Sequence, residues 1–250
     1  MTKITGTMAW AILSHVPMRA EPSDVSECVN EVLAGDRVLV LEEGPRDWVR
    51  IRLADGYEGW VDRRSFKQEI QPVVGELVIL SDMCSAWHGV LGGWLPAGAR
   101  VQKTSTGWKC GEADIVPLGK DPQPWRQSMA SWAMTMVGVP YHWGGRSGWG
   151  WDCSGLVQTA ASLVGKSLPR DASQQFLIGQ DIPRAEARED DLAFFANSHG
   201  KVTHVGICLD ASRIVHASGW VRMDGLTDQG IVRTEDGLET HRLCGVRRIS

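Results

Sequence analysis

Apolar and polar residues alternate through the first half of the chain, and a helical period takes over only past its midpoint. Over Trp48–Leu53, Val49, Ile51 and Leu53 alternate with Trp48, Arg50 and Arg52, the period-two pattern of a half-buried strand. Arg37–Leu41 is a similar Val- and Leu-rich run, and Asp55-Gly56 predicts a hairpin turn into Tyr57–Val61. Residues 72 to about 119 repeat the style, with Glu76–Leu80, a middle holding Trp87 and Trp94, then Leu95–Val101 and a turn at Thr106-Gly107. These patterns predict two small β-barrels in tandem, over residues 1–70 and 71–120, and Asp121-Pro122-Gln123-Pro124 reads as a linker.

Past the linker, Trp125–Val137 predicts a helix with Trp125, Met129, Trp132 and Met136 on one face. Tyr141–Trp151 is a Gly- and Trp-rich loop. Leu156, Val157, Ala160, Leu163 and Val164 then follow helical spacing, with Gly165 as the C-terminal stop. Strand-like segments follow at Leu192–Phe195, Val202–Leu209, Ile214–Ala217 and Cys244–Ile249. A helix followed by a run of strands makes residues 121–250 an α+β domain, so the fold class is α+β with two small barrels ahead of the last domain.

Composition narrows the ligand. The chain has 250 residues, 43% hydrophobic and 22% charged, enough for one to three domains. A net charge of −4 offers no basic face, so no nucleic acid is expected. Twelve Trp against four Phe and two Tyr favour clefts and interfaces, where a ring is apolar at one end and wet at the other. The six cysteines, Cys28, Cys84, Cys110, Cys153, Cys208 and Cys244, are widely spaced and form no CxxC pair. That argues against a zinc knuckle and fits reduced thiols in a reducing compartment; no metal or other cofactor is expected. Lys3 is the sole early basic residue, and the apolar run Met8–Leu13 is short for a secretory signal. No membrane span is expected, since no run approaches the roughly 20 apolar residues required. A cytoplasmic protein is the resulting expectation.

Cys153 stands where the Gly-rich loop ends and a helix begins. Unpaired N–H groups and partial positive charge at a helix start lower a thiol pKa. Asp152 and Ser154 are N-cap residue types, although a carboxylate beside the sulfur works against the thiolate. With the helix start and an ion pair with a partner base, His204, outweighing that carboxylate, Cys153 is expected to be the one strongly acidic thiol; the other five lie in apolar or strand-like runs. A thiol nucleophile needs a base, and the base an orienting group. His204 begins Val205–Leu209, His216 lies in Ile214–Ala217, and Asp210–Arg213 reads as the turn between them. An odd-length loop puts both imidazoles on one face, and a one-residue slip separates them. The spacing permits a base–orienter pair and equally permits two ordinary strand histidines.

Five motifs in order carry a family resemblance: Pro140-Tyr141-His142-Trp143-Gly144-Gly145, Asp152-Cys153-Ser154-Gly155-Leu156, Leu168-Pro169-Arg170-Asp171, His204-Val205-Gly206-Ile207 and His216-Ala217-Ser218. Over residues 125–250 the chain resembles the NlpC family of papain-like cell-wall peptidases. The resemblance implies Cys153 as nucleophile, His204 as base and His216 as the orienting member, a position that can be His, Asn or Gln. Pro17–Asp24 with Ser26-Glu27, and Asp55–Val61, resemble the first SH3-like barrel of the dipeptidyl-peptidase VI branch. That branch hydrolyses the γ-D-Glu–diamino acid bond of murein peptides with a free N-terminal L-Ala. The ammonium would then meet Glu27, Tyr57, Tyr141, Asp152, Ser154 and Asp171, groups of the kind a desolvated cation needs. Three of them also have a plainer reading: Asp171 caps a helix starting at Ala172, Glu27 is a solvated charge, and Tyr57 packs a strand.

Two departures stand out. Ala172 occupies a position where the family often has Ser, and Arg188-Glu189-Asp190-Asp191-Leu192 stands where Pro-Gly-Asp-Leu is common. The expected function is recycling of soluble murein peptides. An exported wall hydrolase targeted by its SH3-like modules, and an amidase or acyltransferase on the same scaffold, remain as alternatives; the intact Cys153, His204 and His216 set disfavours a binding protein with a decayed site. The sequence specifies neither the diamino acid nor the oligomeric state.

Overall fold

The computed structural model describes residues 5–82, 84–89 and 93–249; Lys3 lies outside them. The chain forms two compact units. One is built from the chain up to Trp125 together with Trp143–Trp149, the other from Arg126–His142 together with the chain from Gly150 onward.

The first unit holds two antiparallel sheets. Its seven-stranded sheet runs, in spatial order, Cys28–Leu33, His15–Arg19, Glu58–Asp62, Trp48–Arg52, Arg37–Glu43, Met8–Ala11 and Phe66–Gln68. Val16, Met18, Val32, Val38, Ile51 and Val61, from five of these strands, share one buried cluster, so the sheet folds over its own core. The expected hairpin is present, with Trp48 opposite Asp62 and Arg52 opposite Glu58, and Gly56 takes the φ of +87° that its turn requires. The six-stranded sheet packs Trp87, Leu95, Val101 and Trp108 into a second core. The single strand expected over Leu95–Val101 is two, Trp94–Pro96 and Arg100–Thr104. The chain turns between them at Gly98, φ +89°, and Ala99 N donates to Pro96 O. Asp36 ties the unit together: it accepts from Arg100 Nη1 at 2.5 Å and from Arg146 Nη2 at 3.0 Å, while Glu31 Oε2 takes the Arg146 backbone N–H.

The second unit is an antiparallel sheet carrying three helices. The strands run Gln180–Ile182, Glu239–Arg248, Leu192–Ala196, Val202–Cys208, Arg213–Ser218, Trp220–Leu226 and Gly230–Val232. Glu239–Arg248 also pairs with Gly230–Val232, which closes six of them into a barrel. Helix α1 (Met129–Thr135) is shorter than the Trp125–Val137 span expected, because Ser128 caps it, accepting from Ser131 N at 3.0 Å. Helix α2 (Cys153–Leu163) ends as expected, with Gly165 at φ +79°. Helix α3 (Ala172–Gln175) is a single turn. α2 packs on α1 and on the strands Val202–Cys208 and Arg213–Ser218. In the divergent turn before Leu192, Asp190 holds φ +73°, a region Asp tolerates better than most residues. Its carboxylate accepts from Ala130 N at 2.8 Å, adding a partner at the start of α1. Among the described residues no helix is long and apolar enough to cross a membrane.

Candidate active site

Cys153 is the first residue of α2. The helix start is fixed by Asp152, whose Oδ1 accepts from Gly155 N at 2.7 Å and from Ser154 Oγ at 3.2 Å. Arg170, 2% exposed, holds the same carboxylate with both terminal nitrogens, at 2.9 and 2.5 Å, and donates to Ser154 Oγ at 2.9 Å. From α3, Gln175 Nε2 donates to Ser154 O and to Pro169 O. Asp152 and Ser154 thus act first as scaffold for the sulfur. Arg170, within the Leu168-Pro169-Arg170-Asp171 motif, takes its role from this two-pronged pairing with Asp152, a role the motif itself does not show.

The acidic thiol expected from a helix start is not what the structure holds. Cys153 is 7% exposed, and burial, then the Asp152 charge, push its thiol up to about 12. The backbone N–H of Val205, the Arg170 charge and the Ser154 N–H favour the thiolate but do not outweigh burial. Burial also drives His204 well below the ordinary imidazole range, with His216 and His241 adding to it. Burial thus favours the uncharged form of each group. The thiolate therefore has to form as His204 takes the proton.

The two histidines meet. Gly206 lies opposite His216 and Cys208 opposite Ile214, leaving a five-residue loop over 209–213, the odd length that keeps His204 and His216 on one face. His204 Nε2 is 2.8 Å from His216 Nδ1. Gly206 permits the close fit, since a Cβ there would sit 2.8 Å from the His216 Cβ. On its far side His216 Nε2 is 3.0 Å from Asp224 Oδ2. Asp224 also accepts from Arg222 Nε at 2.7 Å, Arg222 Nη2 at 3.0 Å and Thr234 N at 2.9 Å. Burial raises the Asp224 pKa, but these donors outweigh it and hold the carboxyl well below its usual range. His241 stacks on His204 with ring centroids 4.3 Å apart.

Asp224, Arg222 and His241 were not anticipated. Asp224 lies on a strand the hydropathy pattern did not flag. The available signal was the turn at Gly219, φ +73°, after which residues 222 and 224 fall on the face of 216.

The other expected residues are placed as follows. Tyr141 is half-buried in the second unit, and burial, then the Cys153 and Asp152 charges, raise its pKa, so its hydroxyl stays protonated. Asp171 is the N-cap residue of α3 without a side-chain cap hydrogen bond. Glu27 and Tyr57 belong to the first unit. Glu27 is exposed and accepts from Trp143 Nε1 at 2.7 Å, and Tyr57 is half-buried against the core of the seven-stranded sheet.

The imidazole cluster has a consequence for stability. His204, His216 and His241 all have folded pKa values below the ordinary 6.5, His241 at about 4, chiefly through burial. Between those values and 6.5 the unfolded chain binds more protons, so stability falls as pH drops through that window. The melting temperature should fall by at least about 5 °C between pH 7.5 and 4.5, and less in a His241→Gln variant. A melting temperature constant over that range would contradict the buried neutral cluster.

With this geometry in place, relatives give it context. The NlpC/P60 family profile matches residues 138–235, and the bacterial dipeptidyl-peptidase Sh3 domain profile matches residues 18–66. A γ-D-glutamyl-L-lysine dipeptidyl-peptidase of Bacillus cereus (strain ATCC 10987) is 33% identical over 239 residues, covering 78% of this chain and 68% of that protein. Its namesake in Bacillus subtilis (strain 168) is 27% identical over 244 residues, covering 87% and 80%. In fold, an NlpC/P60 family protein from Bacillus cereus superposes with a TM-score of 0.74 at 18% identity, covering 97% of this chain and 99% of that one.

Proposed function

This chain belongs to the NlpC/P60 family, and from that premise we propose that it is a cysteine peptidase cleaving the γ-D-Glu–diamino acid bond of murein peptides that carry a free N-terminal L-Ala. One observation carries the chemistry: Cys153 begins α2, its sulfur takes the N–H of Val205, and His204, next to Val205 in the chain, is hydrogen-bonded to His216. Two similar proteins named γ-D-glutamyl-L-lysine dipeptidyl-peptidase support the choice of bond.

In this reading His204 takes the Cys153 proton as the sulfur attacks the γ-carbonyl of D-Glu. The backbone N–H of Cys153, at the helix start, faces the developing oxyanion. His204 then gives the proton to the leaving amine of the diamino acid, and water, deprotonated by the same ring, releases the thioester. Tyr141 and Asp171 are the groups of this unit assigned to the substrate ammonium; Asp152 and Ser154 hold the helix start, with Asp152 already neutralised by Arg170.

The free amine is the test. A buried charge pair broken on one side costs about 3–5 kcal/mol, so N-acetylation of L-Ala-γ-D-Glu-diamino acid peptides should lower kcat/KM by about 10²-fold or more. Equal cleavage of acetylated peptide, or of intact cross-linked murein, would overturn the reading. The natural substrate is proposed to be soluble fragments recycled in the cytoplasm, a setting that suits the reduced thiols of Cys110, Cys153, Cys208 and Cys244. Cell fractionation should find the protein in the soluble intracellular fraction; recovery from the envelope or the medium would contradict this.

A further inference from the structure

We infer that Asp224 is a positioning residue of the base: by accepting from His216 Nε2 it fixes where the proton sits on both imidazoles and leaves Nδ1 of His204 as the nitrogen that takes the thiol proton. The inference rests on the reading of Cys153 and His204 as nucleophile and base. It follows from counting donors and acceptors along one chain of contacts.

A neutral imidazole has one N–H and one lone pair, so its tautomer is set by what each nitrogen faces. Asp224 is 3% exposed and ionised, its carboxyl held low by His216, Arg222 and the Thr234 N–H, so it can only accept. His216 must therefore carry its proton on Nε2, 3.0 Å from Oδ2. Its Nδ1 is then a lone pair and accepts from His204 Nε2 at 2.8 Å. That places the His204 proton on Nε2 and leaves Nδ1 bare. Without a fixed acceptor beyond His216, the pair could adopt the reverse arrangement, in which His216 Nδ1–H donates to His204 Nε2 and the base nitrogen is protonated.

Arg222 keeps the carboxylate an acceptor rather than a sink for charge. Its Nε and Nη2 hold the two oxygens of Asp224, and it also pairs with Glu235. With the negative charge so shared, His216 stays neutral, and burial pushes its pKa down. The Asp224 carboxylate then orients His216 without protonating it.

Asp224→Asn exposes this logic. The Oδ1 position faces two fixed donors, Arg222 Nη2 and Thr234 N. The Oδ2 position faces Arg222 Nε and the one partner that can change, His216. The amide nitrogen therefore settles toward His216 and donates to Nε2, which reverses both tautomers and blocks the base. When the wrong tautomer is imposed on a serine-protease histidine, kcat falls about 10⁴-fold.

The test combines kinetics with nitrogen chemical shifts on the full chain. Asp224→Asn should lower kcat by about 10³-fold or more with little change in KM. In a His216→Asn background the amide oxygen at 216 receives His204 Nε2–H directly, so adding Asp224→Asn should cost less than about threefold. An equal loss in both backgrounds would show a structural role and overturn the inference. Nitrogen-15 spectra of the histidines at pH 7.5 need no substrate. Both His204 and His216 should carry their proton on Nε2 in the unsubstituted protein and on Nδ1 in Asp224→Asn. A His204 proton on Nδ1 in the unsubstituted protein overturns the inference even if Asp224→Asn fails to fold. Failure to cleave murein peptide with the expected tautomers present would instead count against the proposed substrate.

Discussion

Alanine at Cys153 or at His204 is expected to lower kcat by about 10⁵-fold or more, each change alone removing nearly all turnover. The two act as one unit. Without the sulfur no acyl intermediate forms, and without His204 a thiol pushed up to about 12 has no group to take its proton. His204 also protonates the leaving amine, so one substitution removes both the base and the acid. At His216, Asn should retain far more activity than Leu, because an amide oxygen can still receive the Nε2–H of His204, now 2.8 Å from His216 Nδ1. Steady-state rates on a free murein tripeptide, alongside melting curves, check this. Small and equal losses for His204→Ala, His216→Asn and His216→Leu would place the base elsewhere.

The second large effect concerns stability. Arg170→Met leaves the buried carboxylate of Asp152 without its cation, and breaking such a pair on one side costs about 3–5 kcal/mol. Asp152→Asn removes the charge and keeps an N-cap residue for Gly155 N, so the double variant Asp152→Asn/Arg170→Met should recover most of the loss. Denaturant unfolding measures both. If Arg170→Met unfolds at the same denaturant concentration as the unsubstituted protein, the ion pair does not hold the start of α2. If the double variant is the less stable, the cost lies in packing around Arg170 rather than in the stranded charge.

Much of the architecture could be read from the residues, and the exceptions have local causes. Val49, Ile51 and Leu53 alternate cleanly, and Asp55-Gly56 is a strong turn signal, so that hairpin is found in register. Leu95–Val101 has no such alternation, and an apolar run does not show that Gly98 folds it in two. The α1 helix starts four residues late because Ser128 offers a cap that the periodicity of Trp125, Met129 and Trp132 ignores. At the site, the odd loop between His204 and His216 was legible because strand parity is a strict rule. Asp224 was not, since its strand begins after a tight glycine turn and carries Arg222 and Asp224 at buried positions where a pattern reader expects apolar residues. The thiol departs from expectation for another reason: a helix start and a partner base are visible in sequence, whereas the depth of burial that raises the Cys153 pKa is not.

The most direct measurement is mass spectrometry of L-Ala-γ-D-Glu-diaminopimelate peptide after incubation with the protein and with its Cys153→Ala variant. The expected result is a single cut that releases L-Ala-γ-D-Glu and the diamino acid portion, and intact peptide with Cys153→Ala. Intact peptide with the unsubstituted protein, a cut at another bond, or the same cut by Cys153→Ala would contradict it.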